Sequence, residues 1–298
     1  MSEADEIAAS LTLGALLEVS GWPKPGNVHR TRDYEDTRFE HFLASAVAAY
    51  PVLRELAEAA ATRDRVPLGR YLYRAVRASR SAHTGGNTNL GILILDTLLA
   101  AALARASLDR AEVRREARRL ARETTEEDAY YLYRAIELAG AGGLKRVGKG
   151  GAPDVRDPDR VLREGVTMYE ALRASAERDA VAEDWVSGLR RTLRVGTRVL
   201  ELSTELEDVN EVIVRTFLEE LARRPDTLIW RKHGLRTAME VSRRAREVLR
   251  LAGDGPVTRC RELWRMDEEL HERGINPGST ADILAAGLGY ACRLGMRP

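Results

Sequence analysis

The chain has 298 residues, 44% hydrophobic and 31% charged, the balance of a globular protein long enough to bury a substantial core. Lys and Arg number 47 against 46 Asp and Glu, a formal net charge of +1, so no global basic field points to nucleic acid. Cys260 and Cys292 stand outside any CxxC or Cys/His spacing, which argues against a zinc site or a disulfide framework and for a reducing cytoplasm.

Helical periodicity dominates and predicts an all-α fold: a single compact bundle of about ten helices forming one domain over residues 1–298. The opening MSEADEIAAS is acidic and lacks the pattern of a signal peptide. Ile7, Leu11 and Leu17 mark a first amphipathic helix, which stops at Ser20-Gly21-Trp22-Pro23. A Pro/Gly/Asn-rich loop runs to Asp36, and Phe39, Phe42, Leu43, Ala46 and Val47 restart a helix that Pro51 should kink or divide. Leu72, Ala75, Val76 and Ser79 form another face. The loop His83–Thr88 leads into a helix over about 89–106. Its apolar run, Gly91–Ala104, is broken by Asp96-Thr97 and is too short to span a bilayer.

A charge-rich helix covers 112–122, and Thr125 with three acids behind it starts the next, to about Ala139. The Gly/Pro-rich stretch 140–158 reads as a mobile loop or a boundary. Helices are expected over 160–177, 181–203, 206–222, 235–251 and 257–272, and a last one over 279–294. No segment alternates with period two, and no fixed-period repeat exists.

Four polar, glycine-bearing segments interrupt the helices: Pro23–Arg30, His83–Asn89, Pro225–Gly234 and Asn276–Asp282. In the second, Gly85 and Gly86 permit close backbone approach, and Thr84, Asn87, Thr88 and Asn89 supply short donors and acceptors. A long helix follows directly, so its free N–H groups and positive dipole end face the loop, a plausible anion cradle without the P-loop pattern. The same residues also make an ordinary tight turn with a helix cap, the commoner use of such a sequence.

Lysine is scarce, with only Lys24, Lys145, Lys149 and Lys232, so a lysine inside a motif carries added weight. Lys24 lies between two prolines, and Lys24 and Arg30 could contact phosphate as point charge and fork, or simply be solvated on a rigid loop. Arg231-Lys232 stands between Trp230 and His233 and could grip a phosphate or belong to a helix connector. Asn276-Pro277-Gly278 with Ser279 or Thr280 is a good helix start, with Asp282 in its first turn. His83 and His233 could act as acid–base groups, although a lone histidine is more often structural. HExxH, nucleophile-elbow and Rossmann patterns are absent.

In order and spacing the blocks resemble the triphosphoribosyl-dephospho-CoA synthase family over about residues 11–290. Glu18-Val19-Ser20 with Pro23-Lys24-Pro25-Gly26-Asn27-Val28 is similar to its N-terminal signature, and Thr84–Asn89 with Gly91 to its glycine-rich motif. Thr125–Ala139 with Gly142-Gly143-Leu144, Asp226-Thr227 with Arg231-Lys232, and Asn276–Ala286 resemble its later blocks. Gly-Gly-Asn-Thr-Asn-Leu-Gly and Gly-Ser-Thr-Ala-Asp depart from the bacterial citrate-lyase-associated members and look more like an archaeal-type branch.

The resemblance implies a transferase that joins ATP to 3′-dephospho-CoA and releases adenine, with small nucleotides as partners and neither nucleic acid nor membrane; it is compatible with a homodimer. A ribose hydroxyl attacks C1′ of the ATP ribose, a glycosyl transfer that carboxylates suit, and the triphosphate calls for backbone donors, cations and Mg²⁺. Carried onto this sequence, Glu18, Asp282 and His83 are the catalytic candidates, with Glu18 and Asp282 also the metal candidates. Lys24, Gly26, Asn27, Arg30, Thr84, Gly85, Gly86, Asn87, Thr88, Asn89, Arg231, Lys232, Asn276, Gly278, Ser279 and Thr280 are the candidates for binding nucleotide. Two other readings stay open: a related helical enzyme that cleaves or transfers an N-glycosidic bond with another acceptor, and a non-catalytic nucleotide binder.

Overall fold

Two glycines let the first and last helices touch backbone to backbone. A Cβ on Gly14 would stand 2.3 Å from the Gly289 nitrogen and 2.6 Å from the Ala285 oxygen. Gly14 belongs to α1 (Glu3–Ser20) and Gly289 to α15 (Gly278–Arg293). Leu11 also meets Gly289, so the two helices run antiparallel and Glu18 points toward the N-terminal end of α15. On its other side α15 is pressed by α10 (Arg190–Glu205), where a Cβ on Gly196 would lie 2.6 Å from the Gly287 oxygen. α4 (Leu90–Leu103) completes the centre, buried along nearly its whole length. This all-round burial is what its unbroken apolar sequence requires.

The computed structural model describes residues 2–140 and 157–298. These hold fifteen α-helices and one 3₁₀ turn, Val257–Arg259, and no strand beyond an isolated His29–Arg32 bridge. No helix among them is long and apolar enough to cross a membrane. The remaining helices are α2 (Phe39–Thr62), α3 (Leu68–Ser81), α5 (Arg110–Arg122), α6 (Glu126–Ala139), α7 (Pro158–Glu164), α8 (Met168–Ser175), α9 (Ala180–Val186), α11 (Val209–Arg223), α12 (Thr227–His233), α13 (Leu235–Ala252) and α14 (Arg261–Glu272).

The all-helical class holds, but fifteen helices replace the expected ten or so, because several predicted helices are broken. The stretch 160–177 divides at Gly165, which is left-handed (φ 66°), and Thr167 then caps α8. The stretch 181–203 divides at Gly188 (φ 73°) and Leu189 (φ 58°). There the buried Asp184 accepts hydrogen bonds from Arg191 N (2.5 Å), Thr192 N (2.9 Å) and Thr192 Oγ1 (2.7 Å), a cap that repays the break. The Pro225–Gly234 segment contains α12. Pro51, by contrast, does not divide α2: it is exposed, so the carbonyl it leaves unpaired one turn back, at the exposed Val47, can be hydrated. The expected mobile loop or boundary at 140–158, with Gly142-Gly143-Leu144, Lys145 and Lys149, falls almost wholly outside the described residues.

Candidate active site

Where α1 ends, the chain turns sharply. The Asn210 side chain clamps Trp22 from both sides, accepting from its N–H (2.8 Å) and donating to its carbonyl (2.7 Å). Lys24 then folds back beneath α1. Its ammonium lies 2.5 Å from Glu18 Oε1 and donates to the Val28 carbonyl at 3.4 Å, with the side chain fully buried. Burial pushes the Glu18 carboxyl up, and the adjacent Lys24 charge opposes that rise. Lys24 is thus neither a solvated surface cation nor, in this arrangement, open to a phosphate.

The rest of this loop is wound around Asp267, a buried carboxylate on α14. It accepts from Gly26 N–H (3.2 Å) and lies 3.3 Å from His29 Nε2 and 3.2 Å from Arg32 Nε. Gly26 has φ 75°, and a Cβ there would stand 2.1 Å from the Ile275 oxygen, so the loop is pressed onto the segment leading to α15. Tyr34 donates to the Gly26 carbonyl at 2.7 Å and stacks on His271 with ring centres 4.4 Å apart. Burial and the Asp267 and Asp36 charges push its phenol up to about 12, so it remains a donor. Asp267 escaped the sequence reading because α14 is rich in charge. Its helical spacing from Leu263 and Leu270, on the apolar face, was the available signal.

The glycine-rich loop before α4 is held from three sides. Arg80 donates to the Gly85 carbonyl and, at 2.7 Å, to that of Gly86. Gly86 N–H donates to the Asp36 carbonyl (2.8 Å) and Gly85 N–H to His83 Nδ1 (3.1 Å). The amides of these two glycines are therefore engaged within the loop. Among the described residues those of Asn87, Thr88 and Asn89 make no hydrogen bond, and donors open to a ligand begin there. Because Nδ1 of His83 is an acceptor, its proton sits on Nε2, and His83 offers a donor rather than a base. Its pKa is lowered by burial, then by Arg80 and by His41, whose ring stacks on it at 5.2 Å. Thr88 Oγ1 lies 2.6 Å from Ser45 Oγ.

The start of α15 meets the start of α4. A Cβ on Gly91 would lie 2.1 Å from Asp282 Oδ2, so only glycine lets the carboxylate rest on the first turn of α4. Asp282 has no hydrogen bond or ion pair among the described residues. Its carboxyl is pushed well above the usual carboxylate range, chiefly by burial and then by the charges of Glu18, Asp179 and Asp226, with Arg231 acting the other way. Asp226, before α12, accepts from Leu228 and Ile229 amides and from both the amide and hydroxyl of Thr280. Asp179, before α9, caps that helix and pairs with Arg231 at 2.6 Å.

The structure thus brings Glu18, Lys24, Asp282, Asn89 and Arg231 to one end of the bundle, and ties Ser279 and Thr280 to Asp226-Thr227 there. Arg30 is exposed and donates to the Ser20 carbonyl at 2.6 Å; Lys232 is exposed and, among the described residues, makes no hydrogen bond or ion pair. Asp179, Asp226 and Asp267 were not among the expected site residues. Two concavities elsewhere suit a nucleotide less well. One of about 170 Å³ between α10 and α11 is lined by Arg194, Arg198, Glu219 and Glu220, whose charges cancel in pairs. One of about 500 Å³ is lined only by α5 and its C-cap, so nothing opposes that helix to enclose a ligand.

No curated protein matches the chain. A crystal structure from Archaeoglobus fulgidus, assigned provisionally as a triphosphoribosyl-dephospho-CoA synthase, is similar with a TM-score of 0.65 and 23% identity, covering 86% of this chain and 100% of that one. That likeness speaks for the fold. The family model for ATP:dephospho-CoA triphosphoribosyl transferase matches residues 4–297, and the chain belongs to this family of transferases, which move the triphosphoribosyl group of ATP onto dephospho-CoA.

Proposed function

We propose that the chain works as a single cytoplasmic helical domain, residues 1–298, and that the transfer takes place where α1, α4, α12 and α15 meet, with ATP as donor, 3′-dephospho-CoA or a close relative as acceptor, and free adenine as product. The observation that carries this is a set of unmet polar atoms drawn from three distant segments. Among the described residues, buried Asn27 Nδ2, Asn89 Oδ1 and Asn276 Oδ1 have no hydrogen-bond partner, and Asp282 has none either. Orphaned buried polar groups are costly, and a nucleotide rich in hydroxyl and phosphate oxygens would satisfy them.

In this reading the triphosphate lies against the free amides of Asn87, Thr88 and Asn89 and the positive end of α4. Gly85 and Gly86 shape the turn, Thr84 and His83 Nε2–H add donors, and Arg231 adds charge. Gly26, Gly278, Ser279 and Thr280 let the two flanking loops approach. The bond from C1′ to the adenine nitrogen breaks, its electron pair leaving with adenine, which takes up a proton as it departs, while a ribose hydroxyl of the acceptor gives up its proton and bonds to C1′. Glu18 already gives one oxygen to Lys24. Unpaired Asp282 is therefore the group that takes the hydroxyl proton, while ionised Glu18 faces the positive charge developing at C1′.

The oxygens present also fit Mg²⁺ entering with the triphosphate. Asp282, the second oxygen of Glu18 and the orphaned Asn89 Oδ1 are hard donors, and no group of three His, Cys, Asp or Glu among the described residues could hold a metal without phosphate help. When bound, such an ion neutralises phosphate charge.

The test is incubation with ATP, Mg²⁺ and dephospho-CoA, followed by mass spectrometry. Free adenine and a CoA derivative heavier by one triphosphoribosyl group are expected, and Asp282→Asn should lower the rate of both by about 100-fold or more. Adenine release without dephospho-CoA would assign a different acceptor. Unchanged ATP affinity in a folded Gly86→Trp protein would remove the proposed nucleotide site.

A further inference from the structure

Asp226 is 2% exposed and, among the described residues, has no ion-pair partner, yet each of its oxygens serves a different helix. Oδ1 accepts from the Leu228 and Ile229 amides at 2.8 and 3.0 Å, capping α12. Oδ2 accepts from the Thr280 amide at 2.7 Å and the Thr280 hydroxyl at 2.8 Å, capping the first turn of α15. A second tie runs alongside: Thr227 Oγ1 donates to Ser279 Oγ at 2.9 Å and accepts from Ala180 N–H, at the start of α9, at 3.0 Å.

All four groups that face Asp226 are donors, so the arrangement needs an acceptor on both oxygens. An amide in its place would turn an NH₂ group toward one pair of donors and leave that helix end uncapped. The turn of α15 held in this way is the turn that carries Asp282. Asp282 rests on Gly91 with no room for even a methyl group between them, so a small shift of that turn changes where its carboxylate meets α4.

We propose that Asp226 is a positioning residue for triphosphoribosyl transfer: by tying the first turn of α15 to that of α12, it fixes Asp282 at the end of α4. This rests on the reading that Asp282 works at the reacting atoms. Asp226 touches neither substrate nor reacting atoms; it acts through Thr280 and Asp282.

The test compares four variants by kcat and ATP KM for adenine release, with thermal unfolding as a control. Asp226→Asn should lower kcat by about 30-fold or more while ATP KM stays within about threefold, because geometry rather than ground-state binding is lost. Thr280→Val loses the hydroxyl donor alone and should lower kcat by less than Asp226→Asn does. On an Asp282→Asn background, Asp226→Asn should lower the residual rate by less than about threefold, since the two act as one unit. A folded Asp226→Asn protein with wild-type kcat, or one whose defect multiplies in full on Asp282→Asn, overturns the proposal. Should Asp226→Asn not fold, wild-type kcat in Thr280→Val overturns it. If Asp282→Asn keeps wild-type turnover, the assignment of Asp282 itself fails. If only Asp282→Asn is inactive, that assignment stands and the positioning role is lost.

Discussion

The ammonium of Lys24 and the carboxylate of Glu18 meet 2.5 Å apart in a position closed to solvent, joining the end of α1 to the loop that follows it. Each charge is tolerable there only because of the other, since an isolated ion in such surroundings is strongly disfavoured. Glu18 is held by this pair at the level of Asp282, to which it presents its negative charge.

Removing either partner alone should therefore cost more than removing both. Lys24→Met or Glu18→Gln is expected to lower unfolding free energy by about 3–5 kcal/mol, whereas the double replacement Glu18→Leu with Lys24→Met should recover much of it. Urea unfolding of the four proteins checks this. Additive losses in the double variant would show that the pair is not coupled as drawn.

Gly91 offers a sharper probe of the site, because a Cβ there would stand 2.1 Å from Asp282 Oδ2. Gly91→Ala gains helix propensity and so should fold, but its methyl must push the Asp282 carboxylate aside. A displacement of this size is expected to lower kcat by about 100-fold. Steady-state adenine release, with circular dichroism to confirm the fold, decides it; wild-type turnover would place Asp282 away from the chemistry.

Asp267 carries the loop between Pro23 and Arg32. Replacing it by Asn keeps the size but removes the charge that faces His29 and Arg32. The loop should loosen: trypsin is expected to cut after Arg30 or Arg32 faster than in the wild type, and stability should fall by about 1–3 kcal/mol. Cleavage at the wild-type rate would mean that Tyr34 and the Ile275 contact hold the loop without the carboxylate.

Much of the helical order was legible because it rests on apolar spacing, as in α4, whose run from Leu90 to Leu103 has to be buried somewhere. The helix start at Asn276–Asp282 was legible for a local reason too, since a turn and short polar residues suffice to begin a helix. What could not be read was decided at long range. Lys24 in Pro-Lys-Pro-Gly looks like a surface cation until Glu18 turns out to lie beneath it. Asp267 and Asp226 become buried only because they find donors 241 and 54 residues away in the chain. The break between α9 and α10 puts Leu189 at positive φ, which no local propensity favours. The glycine loop was identifiable by composition, yet nothing in Gly85-Gly86 shows that their amides are taken by His83 and Asp36.

Asp96 gives the clearest pH dependence. It sits in the middle of α4, 2% exposed, with Oδ1 lacking any partner among the described residues, and burial holds its carboxyl well above the usual range. A carboxyl whose pKa is higher in the folded than in the unfolded chain binds its proton more tightly when folded. The stability it confers is complete below the unfolded value of about 3.9 and is lost as pH rises through the folded value. Asp96→Asn has no proton to lose. Its unfolding midpoint should thus fall less steeply than that of the wild type as pH is raised from acid toward 8, and Asp96→Leu should be more stable than the wild type at pH 8 by about 1–3 kcal/mol. Thermal unfolding of the three proteins across this range measures it. Parallel pH curves for wild type and Asp96→Asn would mean that Asp96 is ionised and paired in the folded protein.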